Sequence, residues 1–278
     1  MDELLTYLHN TAPDNIIIGD NDCNLLILGD SSTRPTTIKA LLFVIGCASD
    51  IGEETVNELR KMYSSKLIFR LLYRHGLQLA QLAKIPFIMV AYKKCALDEI
   101  EHINLESMSF CVKKEYPTKD KFQILDSPSF ITYLYEILDM KYCDAGTHKP
   151  KNKSLADVFH LWSRAKLSSH IIKQDLDAIY HNNNDEYSMI EIKRSPTRTL
   201  EQWAPYKEDS SNYDIQNQFA RATNSSFFTF HHNGGECTNE TKIGCYKILN
   251  VDLSNSANWI DYEKTIIQAK EILKTLNT

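Results

Sequence analysis

No apolar run in the chain approaches the roughly twenty residues that a membrane helix needs; the longest is "ALLFVIGCA", Ala40–Ala48. The start, "MDELLTYLHN", lacks the basic and apolar blocks of a signal peptide, so the expected location is cytoplasmic. There is no basic excess either. The chain has 31 Lys and Arg against 36 Asp and Glu, a net charge of −5 and a pI near 6.0. A nucleic-acid ligand would therefore need a local positive surface. Cysteine pairing is also missing. The seven cysteines (Cys23, Cys47, Cys95, Cys111, Cys143, Cys237 and Cys245) are scattered and form no C-x-x-C. That pattern excludes a disulfide framework and a structural zinc site, and it fits reduced thiols. "HHNGGEC", His231–Cys237, gathers possible ligands without a second pair at metal spacing, and reads as a turn after a strand.

What is present is an ordinary globular composition, 43% hydrophobic and 24% charged, over 278 residues. That length is one large domain or two small ones. "NIIIGD", "CNLLILGD", "KALLFVIGCA" and "IPFIMVAYKK" predict buried strands, being short, rich in β-branched residues and leucine, and bounded by turn residues. Between them, Gly52 to Lys84 repeats apolar residues at helical spacing, with a break at Ser64–Ser65. "DSPSFITYLYEILDMKY" predicts a helix capped near Ser127 or Ser129. "CDAGTHKPKNK" has the composition of a linker, and places a boundary near residue 150. The expected domains are thus an N-terminal α/β region, 1–150, and a second unit, 151–278. Lys149, Lys151 and Lys153, with Lys141, make this stretch either a solvated linker or a local basic surface.

The second unit has a clear order. "SLADVFHLWSRAKLSSH" predicts a helix with Ser154 at its N-cap and Leu155, Val158, Phe159 and Trp162 on one face. Two strands follow within "DLDAIYHNNNDEYSMIEIKRS", Asp175–Ser195. Next come a helix in "SSNYDIQNQFARAT", capped by Ser210 or Ser211, and strands in "SSFFTFHH" and "KIGCYKILNVDL". "DYEKTIIQAKEILKTLN" reads as a closing amphipathic helix.

The chemistry concentrates in the paired strands. In "YSMIEIKRS", Ile190 and Ile192 face one side while Glu191 and Lys193 share the other. On the preceding strand, Asp175 and Asp177 share a face, and pairing through the asparagine-rich turn lets the acidic faces coincide. Carboxylates held together this way repel unless a cation bridges them. Mg²⁺ suits such oxygen ligands, and a lysine two residues along can orient an attacking water or offset charge on a phosphorane-like transition state.

An Asp strand followed by Glu-x-Lys on the next, inside helix–strand–strand–helix–strand, resembles the PD-(D/E)XK nuclease superfamily, which includes many restriction endonucleases. The residues that carry the resemblance are Asp177 and Glu191-Ile192-Lys193. It covers about the last 125 residues; the first half matches no family. Where the family formula has Pro before the metal-binding Asp, this chain has Leu176, and that leaves Asp175 as a rival ligand. The resemblance implies an α/β fold, with a restriction-endonuclease-like core of mixed sheet flanked by helices in the C-terminal half. It implies Mg²⁺ on Asp177, Glu191 and the Ile192 carbonyl, with Lys193 positioning water. It further implies hydrolysis of double-stranded DNA, most concretely by a homodimeric type II restriction endonuclease at a short site. A repair or phage-defence nuclease would show the same core. Asp157 is a supplementary acid or a first-turn residue complementing the helix dipole. In "RSPTRTLEQWAPYKEDSSNY", Arg194 and Arg198 are the expected DNA contacts, and Trp203 and Tyr206 pack on the core or hold bases.

Two other classes compete. "LILGDSST" ends a strand as GDSL-type esterases do, and "DVFH" supplies an Asp-x-x-His spacing, so Ser31, His160 and Asp157 would form an acyl-hydrolase triad. The Gly-x-Asn-Asp block that such a family places between them is absent there. The remaining class is a non-catalytic binding module on a vestigial nuclease fold, against which the intact Asp, Glu and Lys weigh.

Overall fold

The computed structural model describes residues 2–20, 22–95, 102–141, 157–253 and 259–277. In chain order it contains α1 (Glu3–Thr11), β1 (Ile16–Ile18), β2 (Cys23–Asp30), β3 (Thr37–Cys47), α2 (Glu53–Ser65), α3 (Leu67–Ala83) and β4 (Phe87–Lys93). Next are β5 (Ser109–Tyr116), β6 (Gln123–Asp126), α4 (Ser127–Leu138) and α5 (Val158–Lys166). The remainder is β7 (Ile171–Asp175), β8 (Ala178–His181), β9 (Tyr187–Arg194), α6 (Ser210–Ala222), β10 (Ser226–His232), β11 (Lys242–Asp252), β12 (Trp259–Gln268) and α7 (Ile272–Leu276).

The strands form two six-stranded sheets, ordered β1-β8-β9-β10-β11-β12 and β6-β5-β4-β3-β2-β7. Both are mixed: β9 runs parallel to β10 and β3 parallel to β4, while the other pairs are antiparallel. Period-two alternation sorts each strand's residues between two cores. Ile179, Met189, Phe227 and Tyr246 point inward, onto a core shared with Leu25, Ile27 and Phe43 of the other sheet. Between the sheets lie α3, through Phe69, Leu72 and Leu79, and α6, through Tyr213, Ile215 and Phe219. The outer face of one sheet is covered by α1 and α7 (Leu4, Leu8, Ile272, Leu276), and that of the other by α4 and α5 (Phe130, Leu134, Phe159, Trp162). The layers therefore run helix, sheet, helix, sheet, helix. Among the described residues no helix is long and apolar enough to cross a membrane.

The two halves of the chain exchange strands. β1 joins the sheet of the C-terminal half by pairing with β8, and β7 joins the N-terminal sheet by pairing with β2. The boundary placed near residue 150 lies outside the described residues. A buried polar contact ties the same halves: His75 of α3 donates from Nδ1 to Tyr187 Oη (2.9 Å), which in turn donates to Gln78 Oε1 (2.8 Å). Burial and the adjacent His181 push the His75 pKa down to about 4, in keeping with a neutral ring.

Several local expectations need correction. Residues 259–268 are a strand, not the start of a closing helix. Trp259, Ile260, Tyr262, Thr265, Ile266 and Ile267 are β-formers, and the segment completes a ladder with β11 from Lys242↔Gln268 to Asp252↔Trp259. Its Asp261, Glu263 and Lys264 are the charges that blunt an exposed sheet edge. Helix there is limited to a 3-10 turn, Ala269–Glu271, and the short α7. β5 and β6 lie in a segment whose weak apolar pattern carried no strand prediction. Three helix caps shift. Asp126 caps α4, accepting from Ser129 N, and Asp157 caps α5, accepting from His160 N. α6 begins at Ser210, with Asp209 in the cap position. The predicted cap Ser154 falls outside the described residues.

Gly76, inside α3, permits the close approach of two strands. A Cβ there would lie 2.8 Å from Leu25 Cδ2 and 2.9 Å from Phe87 Cε2. Helix propensity favours Ala over Gly by about 1 kcal/mol, whereas overpacking a core costs about 1–3 kcal/mol. Gly76→Ala is therefore expected to destabilise the protein by about 1 kcal/mol, lowering the urea midpoint at unchanged slope. A raised midpoint would contradict this packing.

Candidate active site

The site forms where the chain changes sheets. β7 ends at Asp175 in the N-terminal sheet, and β8 begins at Ala178 in the other. Only Leu176 and Asp177 make the step. Leu176 is buried, and its N–H donates to Leu25 O (3.1 Å). Asp177 then falls beside β9. The β8–β9 register, Ala178↔Ile190 through His181↔Tyr187, brings Asp177 alongside Glu191, and Asp177 Oδ2 accepts the Ile192 N–H at 2.8 Å. The turn between these strands closes through Asn182, whose Oδ1 accepts from Asn184 N and Glu186 N. Asp185 takes the left-handed conformation that such a turn requires.

Glu191 is 4% exposed and fully engaged. Its Oε1 lies 2.9 Å from Lys193 Nζ, and its Oε2 accepts from Gln216 Nε2 of α6 (3.0 Å) and from Gln174 Nε2 of β7 (3.4 Å). Lys193 also lies 3.6 Å from Asp209 Oδ2 and over the Tyr213 ring, 5.8 Å from its centroid. Burial pulls the ammonium pKa down, but the Glu191 carboxylate and its neighbours outweigh that, and the net shift is upward. Lys193 is a fixed cation at neutral pH and not a general base. The Asp177 carboxyl is also shifted upward, which for an acid favours the neutral form. Burial, then the Glu191 charge, hold its pKa well above the ordinary range despite the Ile192 hydrogen bond.

These residues suit a hard divalent cation. Two carboxylates face one another, and one of them resists ionisation in the protein alone, which is the condition a cation relieves. Gln216 Oε1, on a side chain 1% exposed, is a buried acceptor without a hydrogen-bond partner among the described residues. Asp177 is half-buried and opens on a cavity of about 280 Å³ lined also by Leu5, Ile18, Gly19, Asp20, Asn24 and Leu176. The N-terminal half thus supplies most of the wall beside this carboxylate.

The other candidates fall elsewhere. Asp175 does not meet Glu191; its Oδ1 accepts from Asn24 Nδ2 (3.0 Å) and its Oδ2 lies 2.9 Å from His160 Nε2. Asp157 contacts the other ring nitrogen of His160, at 3.1 Å, so it serves His160 and the helix cap. That arrangement also dismantles the triad of Ser31, His160 and Asp157: both His160 nitrogens face carboxylates, and Ser31 Oγ donates to His170 O. Arg194 is exposed beside Glu3 (3.5 Å), and Arg198 lies over the Tyr206 ring (5.0 Å). Trp203 is buried, stacked on His231 at 4.5 Å. Lys149, Lys151 and Lys153 lie outside the described residues.

Gln174, Asp209, Tyr213 and Gln216 were missed from sequence. The available signal was a polar pair, Gln216 and Asn217, set among the apolar Tyr213, Ile215 and Phe219 of a short helix. A second grouping of potential ligands, Asp2, Glu3 and His232, lies at the start of α1. His232 is spent there, with Nδ1 accepting from Gly234 N (3.2 Å) and Nε2 lying 3.0 Å from Asp2 Oδ2. Gly234 and Gly235 at positive φ make the turn expected after this strand.

The repulsion between Asp177 and Glu191 sets a stability test. Because the folded pKa of Asp177 exceeds its unfolded value, its contribution is present below the unfolded pKa and is lost as pH rises through the folded pKa. In EDTA at neutral pH, Asp177→Asn is therefore expected to be more stable than the wild type by on the order of 1 kcal/mol. Mg²⁺ should raise the wild-type Tm and leave the variant's unmoved. A variant less stable than wild type in EDTA would contradict the reading of the pair. No family model, curated protein or solved structure matches the chain, so its function is argued from these residues.

Proposed function

We propose that the protein is a metal-dependent endonuclease that hydrolyses DNA phosphodiester bonds. The observation that carries this is the placement of Asp177, in the step just before β8, beside Glu191 and Lys193 of β9, with Asp177 hydrogen-bonded to Ile192 N–H and Lys193 ion-paired to Glu191. The surrounding topology supports it. β8 runs antiparallel to β9, α6 follows, and β10 returns parallel to β9, the strand–strand–helix–strand part of the order that the PD-(D/E)XK resemblance implies, while β7, paired in the other sheet, adds a third strand between α5 and α6.

In this reading Asp177, Glu191 and the Ile192 carbonyl hold Mg²⁺. When bound, the ion supplies Lewis-acid polarisation and charge neutralisation at the phosphate. The protein's own groups do the rest. Lys193, held cationic by Glu191, donates to the incoming water or to the phosphoryl oxygens on which charge develops. Gln216 and Gln174 fix Glu191, so the carboxylate costs little reorganisation during reaction. By resemblance, in-line attack leaves a 5′-phosphate and a 3′-hydroxyl. A type II restriction endonuclease, acting as a homodimer on a short duplex site, is the most concrete form. Arg194, exposed and one residue beyond Lys193, is placed to contact the phosphate backbone.

Incubation with long duplex DNA is expected to give discrete Mg²⁺-dependent fragments, abolished by EDTA. Lys193→Ala should lower the rate by a hundredfold or more, the order seen when a transition-state donor is removed. Smears would favour a non-specific nuclease. No cleavage of duplex, single-stranded or branched DNA would refute the proposal.

A further inference from the structure

His160 is clasped by two carboxylates from different elements. Asp157 at the cap of α5 lies 3.1 Å from Nδ1, and Asp175 at the end of β7 lies 2.9 Å from Nε2. Burial disfavours the imidazolium, but the two carboxylates prevail and carry its pKa up to about 10. The second oxygen of Asp175 is taken by Asn24 Nδ2 of β2 (3.0 Å), and the Asp175 carbonyl accepts from Gln174 Nε2 (3.3 Å). The next residue is anchored as well, by Leu176 N–H to Leu25 O at 3.1 Å.

Apart from the Asp157–His160 contact, these bonds land on Asp175 and on the Asp175–Leu176 peptide, within the two residues before Asp177. Asp177 itself belongs to neither ladder: β7 has ended and β8 has not begun. Its only backbone neighbour on the N-terminal side is the segment so clasped. A carboxylate whose task depends on its place beside Glu191 is thus held by a brace built from α5, β2 and β7, on the opposite side of the N-terminal sheet's last strand from α6. Another side chain at 160 would leave Asp157 and Asp175 without the group that bridges them.

We propose that His160 is a positioning residue for Asp177, acting through Asp175 and the strand-to-strand step, and that Asn24 is the second arm of the same brace. This rests on the nuclease reading of Asp177 and Glu191. It gives the N-terminal half a task in catalysis: β2, through Asn24 and Leu25, sets where the catalytic strand begins.

The test compares wild type with His160→Gln and with Asn24→Ser, which releases Asp175 from the other side should the first variant fold poorly. Mn²⁺ binding is measured by titration calorimetry on the full chain without DNA, alongside cleavage kinetics and thermal unfolding. Partners that orient a metal ligand typically contribute about tenfold to metal affinity or activity. Each variant is therefore expected to bind Mn²⁺ about tenfold more weakly and to lose a similar factor in kcat, with KM for DNA unchanged. If the variants unfold at lower temperature yet bind Mn²⁺ and turn over as the wild type does when folded, the brace is structural only and the proposal is overturned. If the wild type neither binds Mn²⁺ nor cuts DNA, the nuclease reading itself fails, and the positioning role falls with it.

Discussion

The structure depends on a two-residue step. Leu176 and Asp177 carry the chain from one six-stranded sheet to the other, and this step obliges a carboxylate to stand next to a buried glutamate. Leu176 meets the apolar demand by burying its side chain in the core between the sheets. Asp177 meets a polar one by capping the Ile192 N–H. The cost is electrostatic: the Asp177 carboxyl is pushed toward its neutral form by burial and by Glu191. Buried like charges are tolerated where function requires them, and a hard cation is the simplest partner that would reconcile this pair.

Around that step the fold is arranged so that both sheets contribute. α6 lies between them, presenting Gln216 to Glu191 on one side and Ile215 and Phe219 to the shared core. Gln174 reaches Glu191 from the N-terminal sheet, and Asn24 steadies Asp175 beside it. The exchange of β1 and β7 makes the N-terminal half a structural part of the site, since the cavity beside Asp177 is walled mainly by residues 5–24. Restricting the site to the C-terminal half, as motif reading invites, would omit these walls.

Much of this was legible in sequence, for reasons that are physical. Glu191 and Lys193 alternate with Ile190 and Ile192, and period two is strict within a strand, so their common face could be read directly. The buried strands β2, β3 and β4 followed from apolar runs with clear ends, and the helix break expected at Ser64–Ser65 falls just after it, at Lys66. The choice between Asp175 and Asp177 could not be read. Both residues have the same parity, and nothing local reveals that the strand between them stops and changes sheets. The closing strand was misread because "DYEKTIIQAKEILKTLN" carries apolar residues compatible with either period; the ladder with β11 decides it. The caps of α4 and α5 moved because aspartate and serine compete for the same role, and the backbone selects whichever lies at the turn. Gln216 escaped because one buried amide on an amphipathic helix has no signature until its partner is known.

The central claim is that Asp177 and Glu191 form a divalent-cation site within reach of Lys193. Crystals grown with Mn²⁺, measured at a wavelength where manganese scatters anomalously, test it most directly. The account predicts an anomalous peak bridging Asp177 and Glu191, lost in Asp177→Asn. A peak confined to Asp2, Glu3 and His232, or none beside Glu191 at saturating Mn²⁺, would contradict it.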